Sequence, residues 1–271
     1  MKILLGRTWF GFGDWMMFTS IIKHINIQYP EVAIFIDTTS LPVWFLQFIC
    51  RFDIRVMPIC YPQPADYDIH IKHVTYSTTR IANEHLIESM VNHVNSQVPK
   101  EISFHLKYDK TCLANCIGRC VNRISVPNGK FVIIAPENGT AETSRCKDWD
   151  LTNFQRITTS LMRSGIGVVQ IGSSEMKTPI LQPGLLSYKD IALPALLDLM
   201  QRSSTVIAME NGISHFAGHH SIRTFTIYRP MAPTKPDNVW YPGQTAVVGE
   251  IIDPEQLAQT IMNEIYETEI I

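Results

Sequence analysis

The sequence predicts an α/β protein made of two Rossmann-like halves, and three observations carry that prediction. Short apolar runs rich in β-branched residues alternate with helical patterns along the chain, the spacing of βαβ units whose parallel sheet is covered on both faces. The chain opens as strand, glycine-containing loop and helix, the way such domains begin. Residues 125–130, with Pro127 and Gly129, have hinge composition and separate two series of this kind. At 271 residues the chain is long enough for two domains of ordinary size, expected at 1–126 and 127–271.

Composition narrows the class. Hydrophobic residues make up 45% and charged residues 18%, as in globular proteins. A net charge of −2 lacks the basic footprint of a nucleic-acid binder. Six cysteines occur without a Cys-x-x-Cys pair, so neither a zinc ribbon nor a thioredoxin site is indicated. Met1 runs directly into a strand with no secretory signal pattern. The longest apolar stretch, 41–50, is interrupted by Pro42 and Gln47 and is too short to span a bilayer. A reducing, cytoplasmic setting is expected, with peripheral contact to a membrane surface left open.

In the amino half, residues 2–5 read as a strand and 6–13 as a loop holding Gly6, Gly11 and Gly13. Asp14 stands where a helix N-cap belongs, ahead of Trp15, Phe18, Ile21, Ile22 and Ile25. The loop is not the dinucleotide fingerprint, since the third glycine position is Met16, and no Gly-Lys-Ser/Thr follows for a P-loop. Asp14 has two readings: a cap, or a carboxylate projecting from a glycine-lined loop that lets a substrate approach. Strands are expected at 32–36, 54–57 and 67–71, with a buried helix at 43–52. A helix is expected at 81–94, with His85 and His93 as surface residues. Residues 110–123 read as a helix carrying Cys112, Cys116 and Cys120 on one stripe, as buried thiols rather than cluster ligands.

In the carboxyl half, 131–135 is an apolar strand, and a long loop runs from Pro136 past Thr140 to Lys147. Asp150 opens a helix at 151–163, with Phe154, Ile157 and Leu161 on one face. A strand at 167–171 ends in the tip loop 172–175, and a helix at 193–201 leads to a strand at 206–209. That strand stops at Glu210-Asn211-Gly212, and 213–218 reads as a helix. A strand at 224–228, a proline-rich loop to 242 and a final helix at 254–266 complete the half. The final helix is expected to pack back on the amino domain.

Ligands of open α/β sheets sit outside the carboxyl ends of the strands. Three loops share that edge, offering Thr140 and Lys147, then Gly172, Ser173 and Glu175, then Glu210, Asn211, Gly212, Ser214 and His215. Ammonium and helix-end N–H groups suit phosphate, while carboxylates and hydroxyls suit ribose or sugar. The set describes a nucleotide-diphosphate pocket. Asp148-Trp149-Asp150 matches the Asp-x-Asp metal pattern, but Asp150 is better explained as a helix cap. His215 and His219 have i, i+4 spacing, yet no glutamate follows His215 in zinc-protease order. Gly-x-Ser-x-Gly is absent, so no serine-hydrolase elbow is present. No metal is expected.

These pieces resemble the bacterial lipopolysaccharide heptosyltransferases, the ADP-heptose-using GT-B glycosyltransferases of family nine. The opening KILLGRTWFGFGDWMMFTSIIKHINIQYPEVAIFI resembles their first strand, Gly-Asp turn and helix ending in Tyr-Pro. KFVIIAPENGTAETSRCKDWDLTNFQRIT resembles their strand and Lys-x-Trp loop, and VVQIGSSEM their next strand and glycine-rich tip. STVIAMENGISHFAGHHSIRTFTIYRP is similar to their donor-site strand, Asp-Ser/Thr-Gly turn and Ser-His helix. The matches cover the first 36 residues and most of the carboxyl half, and leave the middle unmatched.

The resemblance implies a GT-B fold, two Rossmann-like domains facing across a cleft. It implies a metal-independent transferase taking a sugar, a heptose by analogy, from a nucleotide-diphosphate donor, an ADP-sugar. The acceptor would be a glycan, lipid-linked or protein hydroxyl. Asp14 would be the general base, flanked by Gly11 and Gly13 on the acceptor side; Lys147 would hold the donor phosphates, and the Glu210 turn the sugar and phosphate. Two departures stand out: Glu210-Asn211-Gly212 replaces Asp-Ser/Thr-Gly, and the amino domain is compact. The competing readings are an inactive nucleotide-sugar-binding protein and another nucleotide-dependent Rossmann-like enzyme.

Overall fold

The computed structural model describes residues 1–6, 12–39, 56–75, 84–110, 124–137, 149–173, 180, 182–228, 241, 243–249 and 252–267. The chain divides into two compact units, residues 1–118 with 234–241, and residues 119–233 with 242–271. The return of a short carboxyl-half segment to the amino unit was not visible in the sequence. Its described residue, Tyr241, is fully buried with its ring edge-on to His85.

In the amino unit, β1 (Lys2–Leu5), β2 (Ala33–Asp37), β3 (Val56–Ile59) and β4 (Ile69–Ile71) form a parallel sheet in the order β3-β2-β1-β4. Between β1 and β2 runs α1 (Phe12–Gln28), and α2 (Leu86–Ser96) follows β4. Trp15 through Ile22 of α1 are all buried, so this stretch of the helix is covered on every side, while Ile27 near its end is exposed. α2 starts later than its apolar pattern predicts. His85 is its N-cap: the ring Nδ1 accepts from the Ile87 N–H. His85 is therefore buried, correcting its expected surface position.

Residues 104–109 run extended beside α1 and α2 without joining a sheet. Side chains satisfy their backbone instead. The Gln28 amide donates to the Lys107 carbonyl (2.6 Å) and accepts from its N–H (2.8 Å). Asn95 does the same for Leu106, both at 2.8 Å. The Tyr29 hydroxyl donates to the His105 carbonyl (3.0 Å) and accepts from the His105 N–H (2.9 Å). The Asp109 N–H donates to His24 Nε2 at 3.2 Å, while His24 Nδ1 lies 2.6 Å from the Ser20 carbonyl. These contacts require a neutral ring protonated on Nδ1, and burial pushes the His24 pKa below the ordinary value.

The carboxyl unit holds six parallel strands, β5 (Phe131–Ala135), β6 (Gly167–Gly172), β7 (Leu186–Lys189), β8 (Thr205–Met209), β9 (Thr224–Tyr228) and β10 (Gln244–Val248). Their order is β10-β9-β8-β5-β6-β7. The helices are α3 (Leu151–Arg163), α4 (Leu193–Arg202), α5 (Gly212–His219) and α6 (Pro254–Glu267). β5, β8 and β9 are buried at every position, as strands covered on both faces must be. One core joins Val132, Ile134, Phe154, Ile157, Leu161, Ile207 and Phe225 to Leu257, Ala258, Ile261 and Ile265 of α6.

The apolar face of α6 is thus taken up by α3 and the carboxyl core. Polar contacts agree. Arg156 of α3 pairs with Asp253 and Glu255, Lys130 Nζ donates to the Ile265 carbonyl at 3.0 Å, and the Tyr266 hydroxyl donates to the Ser164 carbonyl at 3.1 Å.

Candidate functional site

Each sheet has a point where the strand order reverses, and there the carboxyl ends of two adjacent strands diverge to leave room for a ligand. In the carboxyl unit the reversal falls between β5 and β8: the chain builds outward through β6 and β7, then crosses back to β8. Glu137 follows β5, and Glu210-Asn211-Gly212 follows β8. The Asn211 amide donates to the Glu137 carbonyl at 3.0 Å, tying the two strand ends together. The sequence reading singled out this turn, but not its link to Glu137.

Asn211 is the N-cap of α5. Its Oδ1 accepts from the N–H groups of Ile213 (2.9 Å) and Ser214 (3.2 Å). The Asn211 N–H reaches back to Ser214 Oγ at 3.2 Å, closing a capping box, and Ser214 Oγ donates to the Asn211 carbonyl at 2.8 Å. Gln244 at the start of β10 donates to the Ser214 carbonyl at 3.0 Å. The helix-end N–H groups expected to face an anion are therefore largely taken by the cap. Of the first-turn amides, those of Ile213 and Ser214 point at Asn211, and the His215 N–H goes to the Asn211 carbonyl.

Glu210 precedes the cap, and His215 is the fourth residue of the helix. Helical side chains lean toward the amino end, so the residue before the cap and the fourth residue meet over the cap. That position commonly holds two apolar side chains. Here Glu210 Oε1 lies 3.1 Å from His215 Nε2, with the two side chains 6% and 7% exposed. The sequence placed Glu210 as a strand-tip carboxylate turned toward sugar hydroxyls. The structure commits one of its oxygens to His215, a pairing legible from the capping positions but missed.

The neighbouring tip is at β6. Gly172 and Ser173 lie at its end, half-buried and exposed, and the Gly172 carbonyl accepts from the Asp190 N–H beside β7 at 3.0 Å. Trp149 anchors the next approach. Its backbone N–H meets Met209 Sδ at 3.4 Å and its indole N–H donates to the Gly249 carbonyl at 2.7 Å, so it bridges the ends of β8 and β10. Asp150 caps α3, accepting from the Thr152 N–H at 2.9 Å, and hydrogen bonds from the Thr152 side chain and backbone hold its carboxyl below the usual range. That is the role the sequence gave it. Thr140, Lys147 and Glu175 lie outside the described residues.

In the amino unit the reversal falls between β1 and β4. Gly6 ends β1, its N–H donating to the Ile71 carbonyl at 2.7 Å, and a Cβ there would stand 2.5 Å from the Lys72 carbonyl oxygen. The close pairing of the β1 and β4 ends needs glycine. Gly11 lies outside the described residues, and Gly13 and Asp14 fall in the first turn of α1, both half-buried. The helix starts at Phe12, so Asp14 is its third residue and not its N-cap, a correction to the sequence reading. A carboxylate there still interacts favourably with the helix dipole. Among the described residues no group of three or more His, Cys, Asp or Glu side chains could hold a metal ion, and no helix is long and apolar enough to cross a membrane.

No protein-family model matches the chain, and no curated protein sequence does. Solved structures do. ADP-heptose lipopolysaccharide heptosyltransferase II of E. coli is 14% identical with a TM-score of 0.66, over 99% of each chain. The E. coli heptosyltransferase WaaC, solved with ADP, is 13% identical with a TM-score of 0.62, over 97% of this chain and all of that one. TibC of enterotoxigenic E. coli, a dodecameric iron-containing heptosyltransferase solved with ADP-D-β-D-heptose, is 11% identical with a TM-score of 0.66, over 98% of this chain and 76% of that one. By fold, then, the chain is an α/β protein of the GT-B kind, built along nearly its whole length as these heptosyltransferases are.

Proposed function

We propose that the protein is a glycosyltransferase that moves a sugar from a nucleoside-diphosphate donor to an acceptor hydroxyl. The observation that carries the reading is the switch point between β5 and β8, where Glu137, Glu210, Asn211 and Gly212 meet at the strand ends. Sheets of this kind bind nucleotides there. The fold shared with proteins solved with ADP and ADP-heptose supports an ADP-sugar, with a heptose as the first sugar to try.

In this reading Lys147 and Thr140 serve the diphosphate, Gly172, Ser173 and Glu175 the nucleoside side, and the Glu210 turn the sugar end. Asp14 takes the proton of the acceptor hydroxyl as the glycosidic bond forms and the nucleoside diphosphate leaves. Lys147 serves in place of a metal, since the α5 cap already takes most of the helix-end N–H groups. The acceptor is a glycan, a lipid-linked sugar or a protein, reached in the cytoplasm or at a membrane surface.

A thermal-shift screen of nucleotide sugars tests the donor, because a ligand bound only by the folded state raises its melting temperature. ADP-sugars should shift it, and Lys147→Ala should weaken nucleoside diphosphates far more than the bare nucleoside. Asp14→Asn should leave folding and donor affinity intact while turnover falls roughly 10²–10⁴-fold. Near-normal turnover in that variant would remove Asp14 from the mechanism. Turnover abolished by EDTA and restored by a divalent metal would refute the metal-free route; the iron reported for TibC makes this control worth running.

A further inference from the structure

We infer that Tyr61 is a platform for a sugar ring of the acceptor, with Asp37 beside it to receive that ring's hydroxyls. This rests on the transferase reading above and narrows the acceptor from any hydroxyl compound to a glycan.

Tyr61 follows β3, an edge strand of the amino sheet, at the carboxyl edge that also carries the end of β1 and the first turn of α1. Among the described residues it is the most exposed large apolar side chain, at 75%. Its ring stacks on no other among them, and its hydrogen bond is made by the backbone, the N–H donating to Thr39 Oγ1 at 3.1 Å. Its φ of +52° lies in the left-handed region, immediately before Pro62. Bulky residues are rare there, and a following proline pushes the residue before it toward extended backbone. Glycine or asparagine would make this turn with less strain. The fold gains no contact from the tyrosine ring, and strain held under an exposed aromatic points to function.

The neighbours supply the ligand's chemistry. Thr39 Oγ1 donates to Asp37 Oδ1 at 2.6 Å, and the Thr39 N–H reaches the same oxygen at 2.9 Å. Thr38 fastens the two strand ends, its N–H and hydroxyl both donating to the Ile59 carbonyl at 2.8 and 3.0 Å. Asp37 therefore holds the turn with Oδ1, and no described residue donates to its Oδ2. A pyranose ring presents a face of weakly positive C–H groups bordered by hydroxyls. The negative face of an aromatic ring suits the first, and a carboxylate oxygen accepts from the second. Residues 33–39 and 56–71 contain no lysine or arginine, so the tip does not suit a phosphate.

Neighbouring strands lie about 4.8 Å apart, which puts the β3 tip roughly 10 Å from that of β1, with β2 between them. An acceptor of two or three sugars can rest one ring on Tyr61 while it presents a hydroxyl near the first turn of α1, where Asp14 lies.

The test is saturation-transfer NMR on the full chain with millimolar methyl β-glucoside, methyl β-galactoside, methyl α-mannoside and methyl β-N-acetylglucosaminide. Saturation should enter through one face of the ring, for the glucoside the axial protons on carbons one, three and five. It should vanish in Tyr61→Gly, persist in Tyr61→Trp and weaken severalfold in Asp37→Asn, whose Oδ1 still accepts from Thr39. Tyr61→Gly relieves the backbone and should melt no lower than the wild type, so its loss of signal cannot come from unfolding. Tyr61→Asn, which also fits the left-handed region, repeats the test if glycine loosens the turn. Signal spread evenly over the ring, signal unchanged in both variants, or no signal with any of the glycosides would overturn the inference. The donor reading is measured separately, by the shift in melting temperature with ADP-glucose, and would stand on that shift. A wild-type protein that ADP-glucose does not shift would count against the donor reading, while a glycoside signal lost in Tyr61→Gly would still uphold the platform.

Discussion

Trp149→Phe should unseat the joint between β8 and β10 by a calculable amount. The indole N–H donates to the Gly249 carbonyl at 2.7 Å, in a core where Trp149 is 6% exposed and Gly249 is buried. Phenylalanine keeps an aromatic ring against Phe154, whose centroid lies 5.3 Å away at 78°, but it has no donor. A buried acceptor left without its partner costs about 1–3 kcal/mol. The lost part of the indole adds about 1 kcal/mol in burial and packing. The sum, roughly 2–4 kcal/mol, corresponds to a fall of about 5–15 °C for a domain of ~150 residues. Thermal and urea unfolding followed by circular dichroism measure it, read on the transition of the carboxyl unit, because a two-unit chain need not melt in one step. A fall of less than ~2 °C with an unchanged urea slope would refute the reasoning, since it would mean the Gly249 carbonyl finds another donor at no cost.

Asn95→Ala removes both bonds to Leu106, which are partly buried, and should cost about 1–3 kcal/mol in the amino unit by urea unfolding. Gln28→Ala removes an equivalent pair at an exposed position, where water substitutes, and should cost clearly less. His24 has a lowered pKa in the folded state, so its contribution is complete above the unfolded value of ~6.5 and is lost as pH falls toward the folded value. The amino unit should therefore lose stability from pH 7 to 5, and His24→Gln should flatten that slope. His70 and His93, also lowered by burial, contribute with the same sign and should remain in the variant's profile.

The alternation of apolar runs and helical patterns was enough to place β1, β2, β5, β6, β8 and β9 within a residue or two, because buried parallel strands have few ways to be written. Glu210-Asn211-Gly212 stood out for the same reason: an abrupt polar break after a wholly apolar strand. What the sequence did not give is set by side-chain geometry across elements. Asp14 was read as a cap because the helix start was misplaced by three residues, and boundaries depend on the turn before them. In α6, Leu257, Ala258, Ile261 and Ile265 form a stripe that any sheet-covering helix shows, so the pattern alone could not say which core it serves. His85 and His215 both cap or staple a helix, roles that depend on where a neighbouring backbone ends and not on residue type alone.

The extended segment 104–109 also has a mechanical meaning. A pull on the chain beyond Lys110 meets Asp109, Lys107, Leu106 and His105 in turn, held by His24, Gln28, Asn95 and Tyr29. Each of these contacts stands between the tension and the residues before it. The segment should therefore come away from α1 and α2 contact by contact before the strain reaches the body of α2.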